Sequence, residues 1–313
     1  MAPSNFGLET ILHSNSLRTL AILTVRNEAR YLIEWVAYHR SIGFDNIIVT
    51  SNDNDDGSDA LLAALDRHGF IVHIDNSAMI PEFDRPRGLQ HRAYWLATGH
   101  PLFLEHDWCS FIDADEFIVL KKHADIKSFL ADHDDKSAIA INWRNFGSSG
   151  LKEYEDKPVI ERFTWASDTA FSQNGVTKVI FRPRDIERVA FGTGPHYVQL
   201  SANVKPYCYS NGTLFKSYKD ASNIHLDEIQ LNHYVIKSLG EFISRGSRGD
   251  VASTPKYDKD YFDFNDKNDE QDFSIAYFTP GMKRIAALLR AVPDIAAAER
   301  SALATYASSH GLS

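Results

Sequence analysis

The stretch FIDADEF, residues 111–117, places three carboxylates within four residues directly after an apolar run. The apolar run over 108–112 is typical of a buried strand, which carries Asp113 to its C-terminal end. Burying so much like charge is costly unless a cation neutralises it. Hard divalent ions such as Mg²⁺ and Mn²⁺ take oxygen ligands and often share them with substrate phosphates. The stretch therefore indicates a divalent metal site at Asp113 and Asp115, provided that the chain is extended there; the alternative is an acidic turn exposed to water.

Apolar runs and helical patterns alternate on the N-terminal side of this stretch and just beyond it. Such alternation predicts an α/β fold with a parallel sheet and right-handed crossovers. The predicted strands cover residues 19–25, 46–50, 70–74, 108–112 and 138–142, and the predicted helices cover 28–42, 56–67, 89–98 and 126–131.

Three polar clusters follow predicted strands, namely residues 26–28, 51–56 and 113–116. Ligands of parallel sheets bind outside the carboxyl ends of the strands, so these clusters predict one binding site at that edge. Two alternatives remain open. Asn27 and Glu28 are also favoured at the start of a helix, and residues 51–58 can be a polar turn with a helix cap formed by Asp56 and Ser58.

The pattern loosens beyond Gly150. Strands are predicted over 159–165, 178–182 and 196–200, a helix over 238–244, and an exposed loop over 256–272. Residues 280–309 predict two alanine-rich helices broken near Pro293. No clean linker is visible, so the chain is interpreted as one catalytic domain.

Composition limits the partners and the compartment. The 313 residues carry a net charge of −9, which argues against nucleic-acid binding because phosphate contacts need clustered Lys and Arg. Cys109 and Cys208 are too few for a disulfide framework, and no leader or membrane span is visible. We therefore expect a cytoplasmic protein. The cationic helices predicted over 282–289 and 295–306 leave peripheral contact with the inner face of the membrane open.

The order of several motifs resembles the GT-A-fold glycosyltransferases of the family 2 type, and family 92 is the branch that it looks most like. The motifs are Asn27-x-Glu, Trp35-x-x-Tyr-His, Gly43-Phe-Asp-Asn, Asp56-Gly-Ser, Gln90 and DADEF, followed by Trp143-Arg-Asn-Phe-Gly, Lys178-x-x-x-Arg-Pro, His196 and Asn232-His-Tyr. The resemblance covers residues 19–147 well, continues to about Gly249 and then fades. It implies a GT-A (Rossmann-like) sheet flanked by helices with a more irregular C-terminal half.

The resemblance also implies roles for single residues. Asp113 would face the donor ribose or the metal, and Asp115 would ligate Mn²⁺ or Mg²⁺, with His233 or else His196 completing the site. Arg245 and Arg248 would bind phosphate on a closing segment. The nucleotide pocket would be lined by Thr24, Arg26, Glu28, Asn52 and Asp53, with Gln90 and Arg92 near the ribose or the phosphates.

An inverting enzyme needs a carboxylate that takes the proton of the acceptor hydroxyl. Glu161, Asp168 and Asp185 are the candidates for this base. The usual Glu-Asp pair of family 2 enzymes is missing after the metal motif, so both the base and the stereochemical outcome stay open. Glu116 is interpreted as a supporting or acceptor-side residue.

These expectations combine into a metal-dependent transferase that moves a hexose from a nucleotide sugar, with UDP favoured, to a glycan or lipid-linked acceptor in polysaccharide biosynthesis. Residues 1–150 would bind the nucleotide sugar, 151–250 would bind the acceptor and complete the metal site, and 251–313 would form the loop and C-terminal helices. Two alternatives are a nucleotidylyltransferase, which is disfavoured because residues 24–31 lack a glycine, and a non-catalytic sugar- or nucleotide-binding module.

Overall fold

Four parallel strands form the first half of a mixed sheet. The computed structural model describes residues 17–77, 88–187, 195–248 and 258–310. The four strands lie in the order β3-β2-β1-β4 and are parallel, as the alternation of strands and helices predicts. Their bounds are β1 Thr19–Val25, β2 Asn46–Ser51, β3 Val72–Asp75 and β4 Trp108–Phe111.

Helices connect these strands and cover the sheet. Helix α1 buries a continuous set of apolar side chains that includes Trp35 and Tyr38, and it ends before Gly43, whose φ of 106° a side chain would resist. Helix α4 is an addition that the sequence pattern does not predict, and Pro101 occupies its first turn. The bounds are α1 Ala29–Ser41, α2 Ser58–Arg67, α3 Gly88–Gly99 and α4 Pro101–Glu105.

The second half of the sheet combines parallel and antiparallel pairs, so the sheet as a whole is mostly parallel, as the family resemblance implies. After β5 Glu116–Leu120, α5 Ile126–Asp132 and β6 Ala138–Asn145, the chain returns with α6 Val159–Arg162, β7 Trp165–Ala166 and β8 Thr177–Phe181. Strand β8 lies between β4 and β6 and is antiparallel to both. Strand β9, Tyr207–Tyr209, pairs with β6, and β10, Ile229–His233, runs parallel to β6 and antiparallel to β5.

The strand predicted over 159–165 is wrong for its first part, which forms α6. The carboxylate of Glu34 on α1 accepts hydrogen bonds from the backbone nitrogens of Val159 at 2.8 Å and Ile160 at 3.1 Å. A tertiary contact therefore fixes a helical turn where the apolar pattern alone favours a strand. The strand predicted over 196–200 is also wrong, since the described residues there form only an isolated bridge between Ile186 and Leu200.

The loop predicted over 256–272 contains two regular elements. Helix α8, Lys259–Asn265, begins after Asp258, whose side chain accepts a hydrogen bond from the backbone nitrogen of Tyr261. Strand β11, Glu270–Gln271, pairs with β7. The polar composition of this segment therefore does not indicate the helix, which begins after a capping aspartate.

The three remaining helices are α7 Leu239–Arg248, α9 Thr279–Arg290 and α10 Pro293–His310. Met282, Ala286 and Leu289 of α9 and Ile295 of α10 are buried in the main core. These apolar residues therefore pack against the main core of the fold. None of the helices described here has the length and apolarity that a membrane span requires.

Candidate functional site

Residues 113–116, hereafter the DADE turn, form a tight turn between β4 and β5 and carry the three carboxylates. The backbone nitrogen of Glu116 donates to the carbonyl oxygen of Asp113 at 3.0 Å, and Oε2 of Glu116 accepts from the backbone nitrogen of Asp113 at 2.8 Å. The extended conformation expected for this segment is therefore absent. The turn sends the carboxylates of Asp113 and Asp115 to two different cations.

Asp113 is paired with Lys178 on β8. Nζ of Lys178 lies 2.7 Å from Oδ2 of Asp113 and 3.2 Å from Oε2 of Glu116. Lys178 and Glu116 are fully buried, whereas the Asp113 side chain is 32% exposed. Burial raises the pKa of Glu116 to about 8, against the opposing charge of Lys178 and with the help of the neighbouring aspartates. The sequence analysis does not predict this role of Lys178; the signal for it is a lysine inside the buried strand TKVIF.

Asp115 is paired with Arg245 on α7. Nη1 of Arg245 donates to Oδ2 of Asp115 at 2.7 Å, and the Asp115 carbonyl oxygen accepts from the backbone nitrogen of Tyr234 at 2.8 Å. Burial acts to raise the pKa of Asp115, but the charges of Arg245, His233 and Lys237 outweigh it and hold the pKa well below its usual range. Asp115 is therefore a carboxylate at neutral pH.

An aromatic wall closes the site on the side of β6 and β10. The imidazole of His233 stacks on Trp143 with 3.9 Å between ring centroids, and Trp143 donates from Nε1 to Oε1 of Glu116 at 2.8 Å. Nδ1 of His233 lies 2.9 Å from Oδ1 of Asn145. Burial lowers the pKa of His233 to about 4, which leaves a neutral imidazole at pH 7. His196 also contacts Trp143, with 5.5 Å between the ring centroids, and its Nδ1 lies 2.9 Å from the carbonyl oxygen of Thr177.

The carboxylate oxygens of Asp113 and Asp115 and the imidazole of His233 are chemically suitable ligands for Mn²⁺ or Mg²⁺. In the described ranges, however, no three His, Cys, Asp or Glu side chains lie close enough together to hold a metal. Asp113 and Asp115 each use one oxygen for a cation of the chain, and within the described residues their Oδ1 atoms and Nε2 of His233 have no recorded hydrogen bond. Carboxylate oxygen and neutral imidazole are ligands that Mn²⁺ accepts. A bound metal would therefore draw these groups together from their present partners.

The ends of β1 and β2 offer unused polar atoms at the same edge of the sheet. Oδ1 of Asn52 and Nε of Arg26 are buried, and neither has a hydrogen-bond partner in the part of the chain that the structure describes. Nδ2 of Asn52 donates to Oδ2 of Asp53 at 3.0 Å, while Asp53 has a φ of 48° and is exposed. A buried acceptor without a donor is costly, so Asn52 has the chemistry of a ligand-binding group.

The other predicted pocket residues have partners within the fold. Thr24 shares a hydrogen bond with Thr50 at 2.9 Å, and Gln90 donates to the hydroxyl of Tyr94 at 3.0 Å. Arg92 is buried and donates from Nε to Oδ1 of Asn76 at 2.7 Å. These contacts hold the residue that follows β3, a structural role that the sequence does not indicate. Glu28 precedes α1 and makes no side-chain capping hydrogen bond in the described residues, and the side chain of Arg248 lies outside the described part of the chain.

The three candidates for the base lie apart from the DADE turn in their recorded contacts. Glu161 pairs with Lys283 on α9 at 2.5 Å. Asp168 is exposed and accepts from the backbone nitrogen of Ala170 at 2.7 Å. Asp185 accepts from Ser137, just before the N-terminal end of β6, whereas Asn145 and the aromatic wall lie at its C-terminal end. The structure brings none of the three into contact with Asp113 or Asp115 among the described residues.

Residues 20–235 match the model of a protein family whose description is "Glycosyltransferase family 92". This range begins in β1 and ends just after β10, so it contains the DADE turn, Lys178 and His233.

Curated proteins with similar sequences carry the same family description. A glycosyltransferase family 92 protein of Oryza sativa subsp. japonica is 27% identical over 144 residues, which cover 45% of this chain and 23% of that protein. A family 92 protein of Ricinus communis is 27% identical over 146 residues, covering 45% of this chain and 25% of that protein. The alignments span about a quarter of the length of these relatives.

Solved structures show weaker similarity. Residues 1–349 of S. aureus TarS align with 94% of this chain and 90% of that chain, at 12% identity and a TM-score of 0.36. Glucosyl-3-phosphoglycerate synthase from Mycobacterium tuberculosis, solved with Mg²⁺ and uridine diphosphate, aligns with 41% of this chain and 44% of that chain, at 15% identity and a TM-score of 0.29.

Proposed function

The chain belongs to glycosyltransferase family 92, and on that premise we propose that it transfers a hexose from a nucleotide sugar to a glycan or a lipid-linked sugar. The observation that carries this proposal is the order β2-β1-β4 of neighbouring parallel strands. Their carboxyl ends bring Asn52, Arg26 and Asp113 to one edge of the sheet, where ligands of such sheets bind.

The nucleotide would bind at the ends of β1 and β2. Oδ1 of Asn52 is a buried acceptor that an N–H of a base can satisfy, and the exposed carboxylate of Asp53 adds a second acceptor beside it. A base with an N–H flanked by carbonyls, such as uracil, suits an amide that offers both an acceptor and a donor. We therefore favour a UDP-sugar as the donor. Thr24, Glu28 and Gln90 stay predictions for the walls of this pocket.

The diphosphate would lie beside Asp113, Asp115 and His233, which would hold Mn²⁺ or Mg²⁺. When bound, the metal supplies a Lewis acid that stabilises the departing nucleoside diphosphate. Lys178 holds the Asp113 carboxylate from within the sheet, and Arg245 places a second positive charge at Asp115. These cations also favour the charge that develops on a leaving phosphate.

Inverting transfer needs a carboxylate beside the acceptor hydroxyl. Glu161 and Asp168 stay predictions for this base. Their substitution by glutamine and asparagine, respectively, would identify the base if one variant loses kcat while it retains donor binding. Turnover equal to that of the wild type in both variants would exclude both residues. The product anomer, read by proton NMR from a β- or α-linked donor, decides whether transfer inverts.

Peripheral membrane contact would use the exposed side of α9 and α10. Leu288 on α9 and Tyr277, just before α9, are exposed, and the nearby cations are Lys283, Arg284, Arg290 and Arg300. A lipid-linked acceptor would favour such contact. Sedimentation of the protein with anionic vesicles tests it. Leu288→Ser should reduce the bound fraction, and an unchanged fraction would remove this part of the proposal.

A panel of nucleotide sugars tests the function directly. The purified protein is incubated with each donor and Mn²⁺, and released nucleoside diphosphate is measured with and without glycan acceptors. We expect one UDP-hexose to give turnover that EDTA abolishes and Mn²⁺ restores. Release of pyrophosphate from a nucleoside triphosphate and a sugar phosphate, without any transfer, would overturn the proposal.

A further inference from the structure

A cavity of about 270 Å³ lies between α1, the loop before α6, and helices α9 and α10. We call it the α1–α10 cavity. Its volume corresponds to roughly nine water molecules at about 30 Å³ each, which is room for one sugar ring with a charged substituent. The residues of its lining used below are Arg30, Tyr31, Tyr154, Asp156, Lys157 and Glu299. None of the DADE carboxylates lines it.

Arg30 brings to this cavity a positive charge that has no carboxylate partner among the described residues. Its guanidinium carbon lies 3.8 Å from the ring centroid of Tyr306 and 4.7 Å from that of Tyr31. Nε and Nη1 are buried without an acceptor, whereas Nη2 is not among the buried atoms. The guanidinium therefore packs against aromatic faces, with Glu28 and Glu241 acting on its charge from a longer distance, and Nη2 is the nitrogen that a ligand can reach.

The other cations around the cavity already have partners. Arg162 pairs with Glu241 at 2.7 Å, Arg290 pairs with Glu299 at 2.7 Å, and Lys157 pairs with Glu155 at 2.8 Å. Arg30 is thus the cation of this lining without an ion-pair partner among the described residues, although the carboxylates of Glu34 and Asp156 also line the cavity. A guanidinium without an ion pair can bind a carboxylate or a phosphate through charge-assisted hydrogen bonds.

The rest of the lining suits a ring with several hydroxyl groups. Tyr154 offers an aromatic face and a hydroxyl, which donates only weakly to Asp156 at 3.4 Å. Asp156 and Lys157 are exposed and can accept from and donate to hydroxyl groups. An apolar face surrounded by a few polar groups is the usual composition of a small-molecule site.

Helix α7 contacts both the cavity wall and the DADE turn. The hydroxyl of Tyr31 donates to Oε1 of Glu241 at 2.7 Å. Glu241 belongs to α7, the same helix whose Arg245 pairs with Asp115. The wall of the cavity and the proposed diphosphate site therefore share one helix.

We propose that the α1–α10 cavity is a subsite for an anionic sugar unit of the acceptor, a uronate or a sugar phosphate, whose negative group pairs with Nη2 of Arg30. The assignment of the ligand as part of the acceptor rests on the proposed function, whereas the binding site itself rests on the cavity and Arg30. The two can therefore fail separately.

Binding of small probes to the whole protein tests the subsite. Glucuronate, glucose 6-phosphate, glucose and inorganic phosphate are titrated by calorimetry against the wild type, Arg30→Gln and Arg67→Gln. Arg67 is a matched control because it also contacts α10, through Asp294 at 2.6 Å, but lies outside the cavity. We expect both charged sugars to bind the wild type at least tenfold more tightly than glucose or phosphate. Arg30→Gln should lose at least tenfold of that affinity, and Arg67→Gln should lose none.

Equal affinity of the charged sugars for the wild type and Arg30→Gln would overturn the subsite. Inorganic phosphate that binds as tightly as glucose 6-phosphate would also overturn it, since the sugar ring would then contribute nothing. If Arg30→Gln does not fold, Tyr154→Ala takes its place and should lose the same sugars. Glucuronate binding without turnover of any nucleotide sugar would leave the site standing and refute the proposed function. Turnover without binding of any charged sugar would refute the subsite alone.

Discussion

The guanidinium of Arg245 donates from Nη1 to Oδ2 of Asp115 at 2.7 Å, although the two residues are 130 positions apart in the sequence. The contact ties α7 to the turn that follows β4. A metal that takes Asp115 as a ligand must share it with this guanidinium or displace it. The pair thus connects the proposed metal site with the helix that carries the proposed phosphate-binding residues.

Asp115→Asn should lower kcat/KM by at least about 100-fold, because an amide is a poor ligand for a hard cation and leaves Arg245 without its counter-charge. Released nucleoside diphosphate measures the rate, and circular dichroism checks the fold. Asp134→Asn is the matched control: Asp134 also pairs with an arginine, Arg182 at 2.6 Å, but its side chain is 69% exposed. Full activity of Asp115→Asn, or of the wild type after exhaustive dialysis against EDTA, would contradict the metal site.

Lys178→Met should cost about 1–3 kcal/mol of unfolding free energy, because it leaves carboxyl oxygens of the buried Glu116 and the partly buried Asp113 without their donor. Adding Glu116→Gln should restore part of the loss, with a coupling of about 0.5–3 kcal/mol. Urea unfolding gives the four values of this cycle. Lys127→Met is the control, since its pair with Asp45 is partly exposed and should cost about 1 kcal/mol or less. Additive losses would show that Lys178 does not act through Glu116.

His233→Ala should raise the Mn²⁺ concentration for half-maximal activity by about tenfold or more if Nε2 ligates the metal. The structure sharpens this test, since His233 also stacks on Trp143 and contacts Asn145. His233→Gln keeps a polar group in that space and separates the two roles. A Mn²⁺ titration that matches the wild type in His233→Ala but shifts in His196→Ala would move the assignment to His196.

Asp53→Asn should raise the KM for the nucleotide sugar several-fold with little change in kcat, because recognition of the base is nearly the same in the ground state and the transition state. Asparagine is the better substitution than alanine because Asp53 has a φ of 48°, which asparagine tolerates. Asp55→Asn, at an exposed neighbouring position, is the control. A collapsed kcat at unchanged KM would instead place Asp53 in the chemistry.

Glu34 should make the stability of the fold depend on pH. Burial raises its pKa from 4.5 to about 7, against the two backbone hydrogen bonds that favour its charged form. A pKa raised in the folded state gives stability that is complete below about pH 4.5 and is lost as the pH rises through about 7. The unfolding free energy of the wild type should thus fall by up to about 3 kcal/mol between pH 5 and 8, relative to Glu34→Gln. The exposed Glu153→Gln should keep the wild-type slope, and a parallel slope in Glu34→Gln would refute the assignment.

Much of the first half could be predicted because its signals are local. The strands from Thr19–Val25 to Trp108–Phe111 are short apolar runs, and α1 shows a helical repeat ended by Gly43. Parallel strands joined by helices put their carboxyl ends at one edge, so the meeting of Asn52 and Asp113 there follows from the order of elements.

The sequence by itself determined the α/β class, the family and the position of the DADE carboxylates at the end of a buried strand. Only the tertiary structure decided that β8 enters the sheet antiparallel to β4, that Lys178 meets Asp113 from 65 positions away, and that Arg245 meets Asp115. The reason is that a periodic pattern records which side of an element is buried, whereas the partner of a buried charge depends on which distant segment packs against it. The partners of these carboxylates, and the charge balance around any bound metal, were therefore set by the packing of the second half onto the first.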